Sequence, residues 1–271
     1  MTTKTEIIQA LEEQGLAGKP VCIHSSIKSF GGLEGGPGAI IDACLERDCT
    51  LVVPAFTYML NVSPPPDQRP RQNGRDYSQS PDPSSSDKTY YRPEDNIISA
   101  KSMGALPVAV LEHPARVRGD HPLNSFAALG PRSQDLIQGQ GPDRVYYPLE
   151  QLAQEGGFVI LMGVDYTSLT LIHLAEHLAG RRLFKAWALD SQGKTIICDV
   201  GSCSNGFMNF ASALDPVLRE ARVGESLWKI LPAKEALDAA AGAIKVRPDI
   251  TRCADNCLRC QDSIKGGPIF D

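Results

Sequence analysis

Residues 20–56 constrain this chain more than any other stretch. PVCIHSS reads as a short apolar strand ending at His24-Ser25-Ser26, and TLVVPAF (50–56) as a second one, rich in β-branched residues and closed by Pro54. Between them a Gly35-Gly36 turn opens a segment, 37–47, with the spacing of a helix. Strand, glycine-bearing turn, helix, strand is a βαβ unit, and it commits the chain to an α/β fold.

The neighbouring segments agree. Ile7, Ile8, Leu11 and Leu16 lie near helical spacing over 5–16, with Gly18 as a stop. A short helix is expected at 103–112, ended by Pro114. GGFVILMGVDY (156–166) reads as a buried strand, and a helix over 167–180 follows it. LFKAWALD and TIICDV pair as a hairpin turning at 190–193, and helices are expected over 207–221 and 233–243. The stretch 61–96 differs: it is rich in Pro, Ser, Asp and Arg and buries little apolar surface, so it reads as a long loop, expected to serve as a lid. Arg69, Arg71, Arg75, Lys88 and Arg92 stand there beside five Asp and one Glu, a mixed field of charge. No internal repeat is visible, and 271 residues fit one large domain, 1–271, with a cysteine-rich tail at 253–260.

Composition removes several classes of function. A net charge of -5 gives no basic footprint for nucleic acid. The first residues lack the apolar core of a signal peptide, and no apolar run reaches membrane-spanning length, so a cytoplasmic location is expected. In that compartment eight Cys read as free thiols, metal ligands or catalysts before they read as disulfides.

Two motifs carry chemistry. TSLTLIHLAEHLAG (167–180) sets His173, Glu176 and His177 in the order H-x-x-E-H, which some zinc peptidases use with both His as ligands and Glu as base. Residues three or four apart share a helix face, so the site is geometrically open, but the surrounding Leu171, Ile172, Leu174, Ala175 and Leu178 also suit plain packing. His177 reads as an ordinary surface or satisfied histidine. His173, placed about two turns into a helix after a buried strand, is where a neutral imidazole would act as a general base.

The second motif is CADNCLRC, in which Cys253, Cys257 and Cys260 form C-x3-C-x2-C. The spacing also holds the iron–sulfur cluster of enzymes that cleave S-adenosylmethionine, but there it precedes most of the chain, whereas here it lies eleven residues from the end. A structural zinc needs four ligands, and Cys203 or Cys198 would complete the set; reduced thiols without metal are the alternative.

VCIHSSIKSFGGLEGGPGAIIDACL, TLVVPAFT, SMGALPVAVLEHPARVRGDHPLNSFAALG and GGFVILMGVDYTSLTLIHLAEHLA, taken in this order, resemble the aminoglycoside 3-N-acetyltransferases, the antibiotic N-acetyltransferase family. The likeness runs from about residue 4 to 215. It implies a mixed central sheet flanked by helices, a fold distinct from the common acetyltransferase one, and transfer of an acetyl group from acetyl-CoA to an amine. The resemblance sets Ser25, Ser26, Gly35, Gly36, Ser125 and Phe126 against coenzyme A. It makes His173 the base that takes the amine proton and Glu176 its orienting acid. Antibiotic resistance follows as the expected role, with a small-molecule amine as the other partner and a homodimer left open. The zinc hydrolase built on His173, Glu176 and His177 and a non-catalytic CoA-binding protein are the alternatives. After the hairpin, DVGSCSNGF offers Asp199 as its one acid, where aminoglycoside-modifying relatives carry more.

Overall fold

The computed structural model of the chain describes residues 1–77 and 89–270. Helix α1 (Lys4–Glu13) starts at Thr3, whose hydroxyl accepts from the Glu6 N–H while the Glu6 carboxylate accepts from the Thr3 N–H. Strand β1 (Pro20–Ser25), helix α2 (Pro37–Glu46) and strand β2 (Thr50–Pro54) form the expected βαβ unit, with β1 and β2 parallel. Gly36, at φ 56°, is the N-cap of α2, and Pro37 opens the helix where a missing N–H costs nothing. The helix expected at 103–112 is two pieces, α3 (Ala100–Met103) and α4 (Ala105–Glu112), because Gly104 at φ 84° breaks the ladder between them.

Strands β3 (Val117–Arg118) and β4 (Phe126–Leu129) lead to helices α5 (Ser133–Ile137) and α6 (Tyr147–Gln154) and to strand β5 (Phe158–Met162). Helix α7 (Leu171–Leu178) follows, then the antiparallel hairpin β6 (Phe184–Leu189) and β7 (Thr195–Val200), which forms a sheet of its own. The short α8 (Ala211–Leu214), strands β8 (Arg219–Val223) and β9 (Ser226–Pro232), and helices α9 (Ala233–Val246) and α10 (Leu258–Ile264) complete the chain. The main sheet has the order β3-β4-β2-β1-β5-β9-β8, parallel only where β1 meets β2 and β5. It is the mixed, helix-flanked sheet expected.

The helix expected over 207–221 does not form. Its first half is a 3₁₀ turn (Phe207–Phe210) running into α8, and Asp215-Pro216 ends the helical run. Its second half is β8, the edge strand.

Alternation along each central strand builds two cores. Val159 and Leu161 of β5 face one side, with residues of α6, α7 and α9, while Ile160 and Met162 face the other, with residues of α1, α2 and α4. Each fully buried Leu or Ile contributes roughly 1.5–3 kcal/mol, so this sheet is a rigid platform for what its strand ends carry. The loop expected to bury little packs more than that: Val62 and Tyr77 bury with Trp187 and Leu189 of the hairpin. Lys88 and the rest of 78–88 lie outside the described residues.

Candidate active site

A cavity of about 680 Å³ opens at the C-terminal ends of β1 and β5, the end of a parallel pair where α/β sheets collect ligands. β1 supplies His24 and Ser25, α7 supplies His173, and the hairpin supplies Lys185 and Trp187. Asn61, Asn73, Arg75 and Tyr77, from the described part of the long loop, form another wall.

His173 is the third residue of α7, not two turns in. Residues Tyr166–Ser168 form a separate 3₁₀ turn, capped by Asp165, whose carboxylate accepts from the Thr167 N–H at 2.9 Å. The His173 side chain is only 12% exposed, stacked near-parallel to Tyr146 at 6.1 Å and tilted against Phe207 at 4.8 Å. Its Nδ1 lies 3.0 Å from Glu176 Oε2. A carboxylate can only accept, so Nδ1 carries a proton, and in the neutral ring Nε2 is left with the lone pair.

Glu176 is itself held on every side. Oε2 accepts from Ser202 Oγ, and Oε1 accepts from Arg181 Nη1 at 2.8 Å and from Ser263 Oγ at 2.7 Å. Burial alone would raise its pKa, but the bonds from His173, Ser202 and Ser263 outweigh that and keep it below the ordinary glutamate value. Arg181 is fixed in turn by Thr251 Oγ1 at 2.9 Å and by the Pro248 carbonyl. The result is an anionic, preorganised partner for one imidazole. Neither Arg181, Thr251, Ser263 nor Tyr146 was legible as a site residue: Thr251, Ser263 and Tyr146 are single side chains far from His173 in sequence, and Arg181, just past α7, belongs to no motif.

His177 does not join. It is exposed, and its Nδ1 lies 3.3 Å from the Arg181 carbonyl. The described residues hold no cluster of His177 with His173 and Glu176 able to grip a metal, which removes the geometry that the zinc hydrolase reading needs.

The residues expected at coenzyme A separate. Ser25 lines the cavity, and its buried Oγ has no partner among the described residues. Ser26 lies one residue beyond, its carbonyl bonded to Ser29 Oγ, and Gly35 and Gly36 sit at the entry to α2, off the cavity wall. Ser125 and Phe126 are fully buried at the start of β4. Ser125 Oγ donates to the Ala55 carbonyl and accepts from Arg118 Nε, so Leu123 and Asn124 form the wall there. His121 serves this turn: its Nδ1 accepts from the Leu123 and Asn124 N–H groups, and its Nε2 donates to the Asp199 carbonyl at 2.8 Å.

The wall has a sign. Among the described residues no Asp or Glu lines the cavity, whereas Arg75, Lys185 and Arg259 do. Asp199 is not available to a cationic ligand, because Lys185 Nζ is bonded to its carboxylate. Behind the cavity wall, next in sequence to the lining residues Ser202, Ser204 and Arg259, Cys203, Cys253, Cys257 and Cys260 converge, with all four sulfurs within 4.8 Å of one another. Cys198 is buried separately in β7, beside Leu60 and Ala188.

The family model described as aminoglycoside 3-N-acetyltransferase matches residues 22–245. Aminoglycoside N(3)-acetyltransferase VIII of Streptomyces fradiae is 32% identical over 189 residues, 64% of this chain and 60% of that protein, so the match spans about three-fifths of the relative's length. A structure of aminoglycoside acetyltransferase AAC(3)-IVa with gentamicin superimposes with a TM-score of 0.73 at 22% identity, covering 98% of this chain and 97% of the other. AAC-IIIb in a binary complex with CoASH gives 0.70 at 22% identity, over 90% and 97%. At these identities the two structures speak for the fold.

Proposed function

The chain belongs to the aminoglycoside 3-N-acetyltransferase family, and from that we propose that it transfers the acetyl group of acetyl-CoA to an amine of an aminoglycoside or related amino sugar, with His173 as general base. The observation that carries this reading is the His173–Glu176 pair at 3.0 Å on the wall of a 680 Å³ cavity. The CoA and gentamicin complexes of its structural relatives support the two ligands.

The step needs little machinery. The amine nitrogen attacks the thioester carbonyl, and Nε2 of His173 takes the proton that the nitrogen sheds. Glu176 keeps Nδ1 protonated and stabilises the imidazolium that forms. Collapse of the tetrahedral intermediate breaks the C–S bond, and the imidazolium returns the proton to the leaving thiolate. No acetyl-enzyme is required. Ser25 Oγ, buried and unpartnered on the wall, is a donor for the coenzyme. The structural zinc expected at the four cysteines takes no part in this step.

The acceptor follows from the sign of the wall. A polycation is best held by carboxylates, and none among the described residues lines this cavity, whereas Arg75 and Arg259 do. An amino sugar of low positive charge, or an amine that also carries an acidic group, fits such a wall better than a fully protonated aminoglycoside. Amine-dependent thiol release from acetyl-CoA tests both parts with one panel. Release with at least one amine supports the transferase, and higher kcat/KM for low-charge amines supports the acceptor. Release with none of them, by a chain that folds, would refute the reading.

A further inference from the structure

We infer that Cys203, Cys253, Cys257 and Cys260 bind one zinc ion as a tetrathiolate, and that this centre fixes the C-terminal tail onto the carboxylate partner of His173. The metal part stands apart from the proposed acetyl transfer; the positioning part rests on it.

The distances fit a single ion. Zinc–sulfur bonds of ~2.3 Å put the sulfurs of a regular tetrahedron ~3.8 Å apart. Cys203 and Cys253 sulfurs are 3.8 Å apart, Cys253 and Cys260 sulfurs 3.5 Å, and all pairs lie within 4.8 Å. A disulfide would need ~2.05 Å, and all eight cysteines are free thiols. Four soft thiolates in this arrangement select a metal such as zinc over the hard cations.

The packing of the tail gives the second argument. Between Thr251 and Cys260 the segment buries almost nothing apolar: Leu258 is 42% exposed, and Ala254 is exposed. Hydrophobic contact there is too thin to offset the ordering of a chain, at roughly 1–2 kcal/mol per residue. A metal that joins residue 203 to residues 253, 257 and 260 supplies that constraint.

The ligands sit next to the groups that hold Glu176. Cys203 follows Ser202, which donates to Oε2. Cys260 is three residues before Ser263 on α10, and Ser263 donates to Oε1. Cys260 Sγ also lies 3.6 Å from the carbonyl of Thr251, whose hydroxyl accepts from Arg181. Arg259, between two ligands, donates to the Gly201 carbonyl at 2.6 Å on the cavity wall. Zinc here is a staple behind the catalytic pair, and Ser202 and Ser263 are positioning residues.

The full chain, purified without added metal and passed through EDTA, is expected to carry about one zinc per chain by elemental analysis. Replacement by Co(II) is expected to give the ligand-field and sulfur-to-metal bands of a tetrahedral tetrathiolate. Cys257→Ser, at a ligand that is only partly buried, is expected to lose both signals. Should that variant fail to fold, titration of the wild type with a mercurial decides: zinc release in step with modification of the cluster thiols supports the site. A wild-type chain that holds no zinc and accepts no Co(II), that holds iron instead, or that keeps its metal when Cys257 is replaced would overturn it. For the positioning part, removal of the metal is expected to shift the His173 imidazole resonances, and unchanged resonances would refute that part alone. Metal content reads the same whether or not the chain acetylates amines.

Discussion

Replacing Glu176 by Gln keeps the size of the side chain and removes its charge. Glu176 is 3% exposed and Arg181 is 7% exposed, and the two are 2.8 Å apart. The Gln amide leaves a buried guanidinium without its anion and turns an NH₂ group toward hydroxyls or an imidazole N–H that now donate to oxygen. Breaking a buried pair from one side costs about 3–5 kcal/mol, a large fraction of the roughly 5–15 kcal/mol that keeps a typical domain folded. Urea unfolding of wild type and Glu176→Gln at pH 7 measures the cost. The pH dependence carries the sign: the pKa of Glu176 is depressed in the fold, so its stabilisation is complete above the unfolded glutamate value, ~4.3. It is lost as pH falls through the folded value, and the two proteins converge there. Adding Arg181→Met to Glu176→Gln is expected to recover part of the loss, since both charges are then gone. A single substitution costing under about 1 kcal/mol at pH 7, the range of exposed pairs, would refute the idea of a buried, coupled network.

Two further outcomes follow from buried groups. Burial holds His24 and His121 neutral, with pKa values lowered from 6.5 to about 4; the unfolded chain binds protons there that the fold refuses. Stability is therefore full above pH 6.5 and falls as pH drops toward 4, by up to about 3 kcal/mol for each histidine, and urea midpoints that stay flat from pH 7.5 to 5 would contradict this. At Gly201 a Cβ would stand 2.5 Å from Tyr146 Oη and 2.7 Å from the His173 ring. Gly201→Ala is expected to lower kcat by displacing the imidazole while costing about 1–3 kcal/mol of stability, and unchanged kcat would count against His173 as the base.

The sequence announces those parts whose signal is local. The βαβ unit at 20–54, the hairpin and α9 are read from apolar periodicity, because each is held by its own alternation against the sheet. The four cysteines are read from spacing plus one distant partner. The 207–221 stretch misleads, because FMNFASAL has helical spacing and the strand after Pro216 carries charged residues, Arg219, Glu220 and Arg222, on an edge where one face meets solvent. The placing of Ser125, which the resemblance sets against coenzyme A, is not legible either: Arg118 and the Ala55 carbonyl, the latter distant in sequence, draw it inward. Most of the network behind Glu176 is invisible in one dimension, since Thr251 and Ser263 approach only once the tail folds back, whereas Arg181 follows α7 directly.

The central claim is that a neutral His173, oriented by Glu176, takes the amine proton during acetyl transfer. Thiol release from acetyl-CoA, followed with the best amine of the panel for wild type and His173→Ala, measures it. The expected result is a kcat reduced by ~10²–10⁴-fold in the variant, with binding of acetyl-CoA retained. A variant with wild-type kcat, or a wild-type chain that folds yet does not bind acetyl-CoA, would contradict the account.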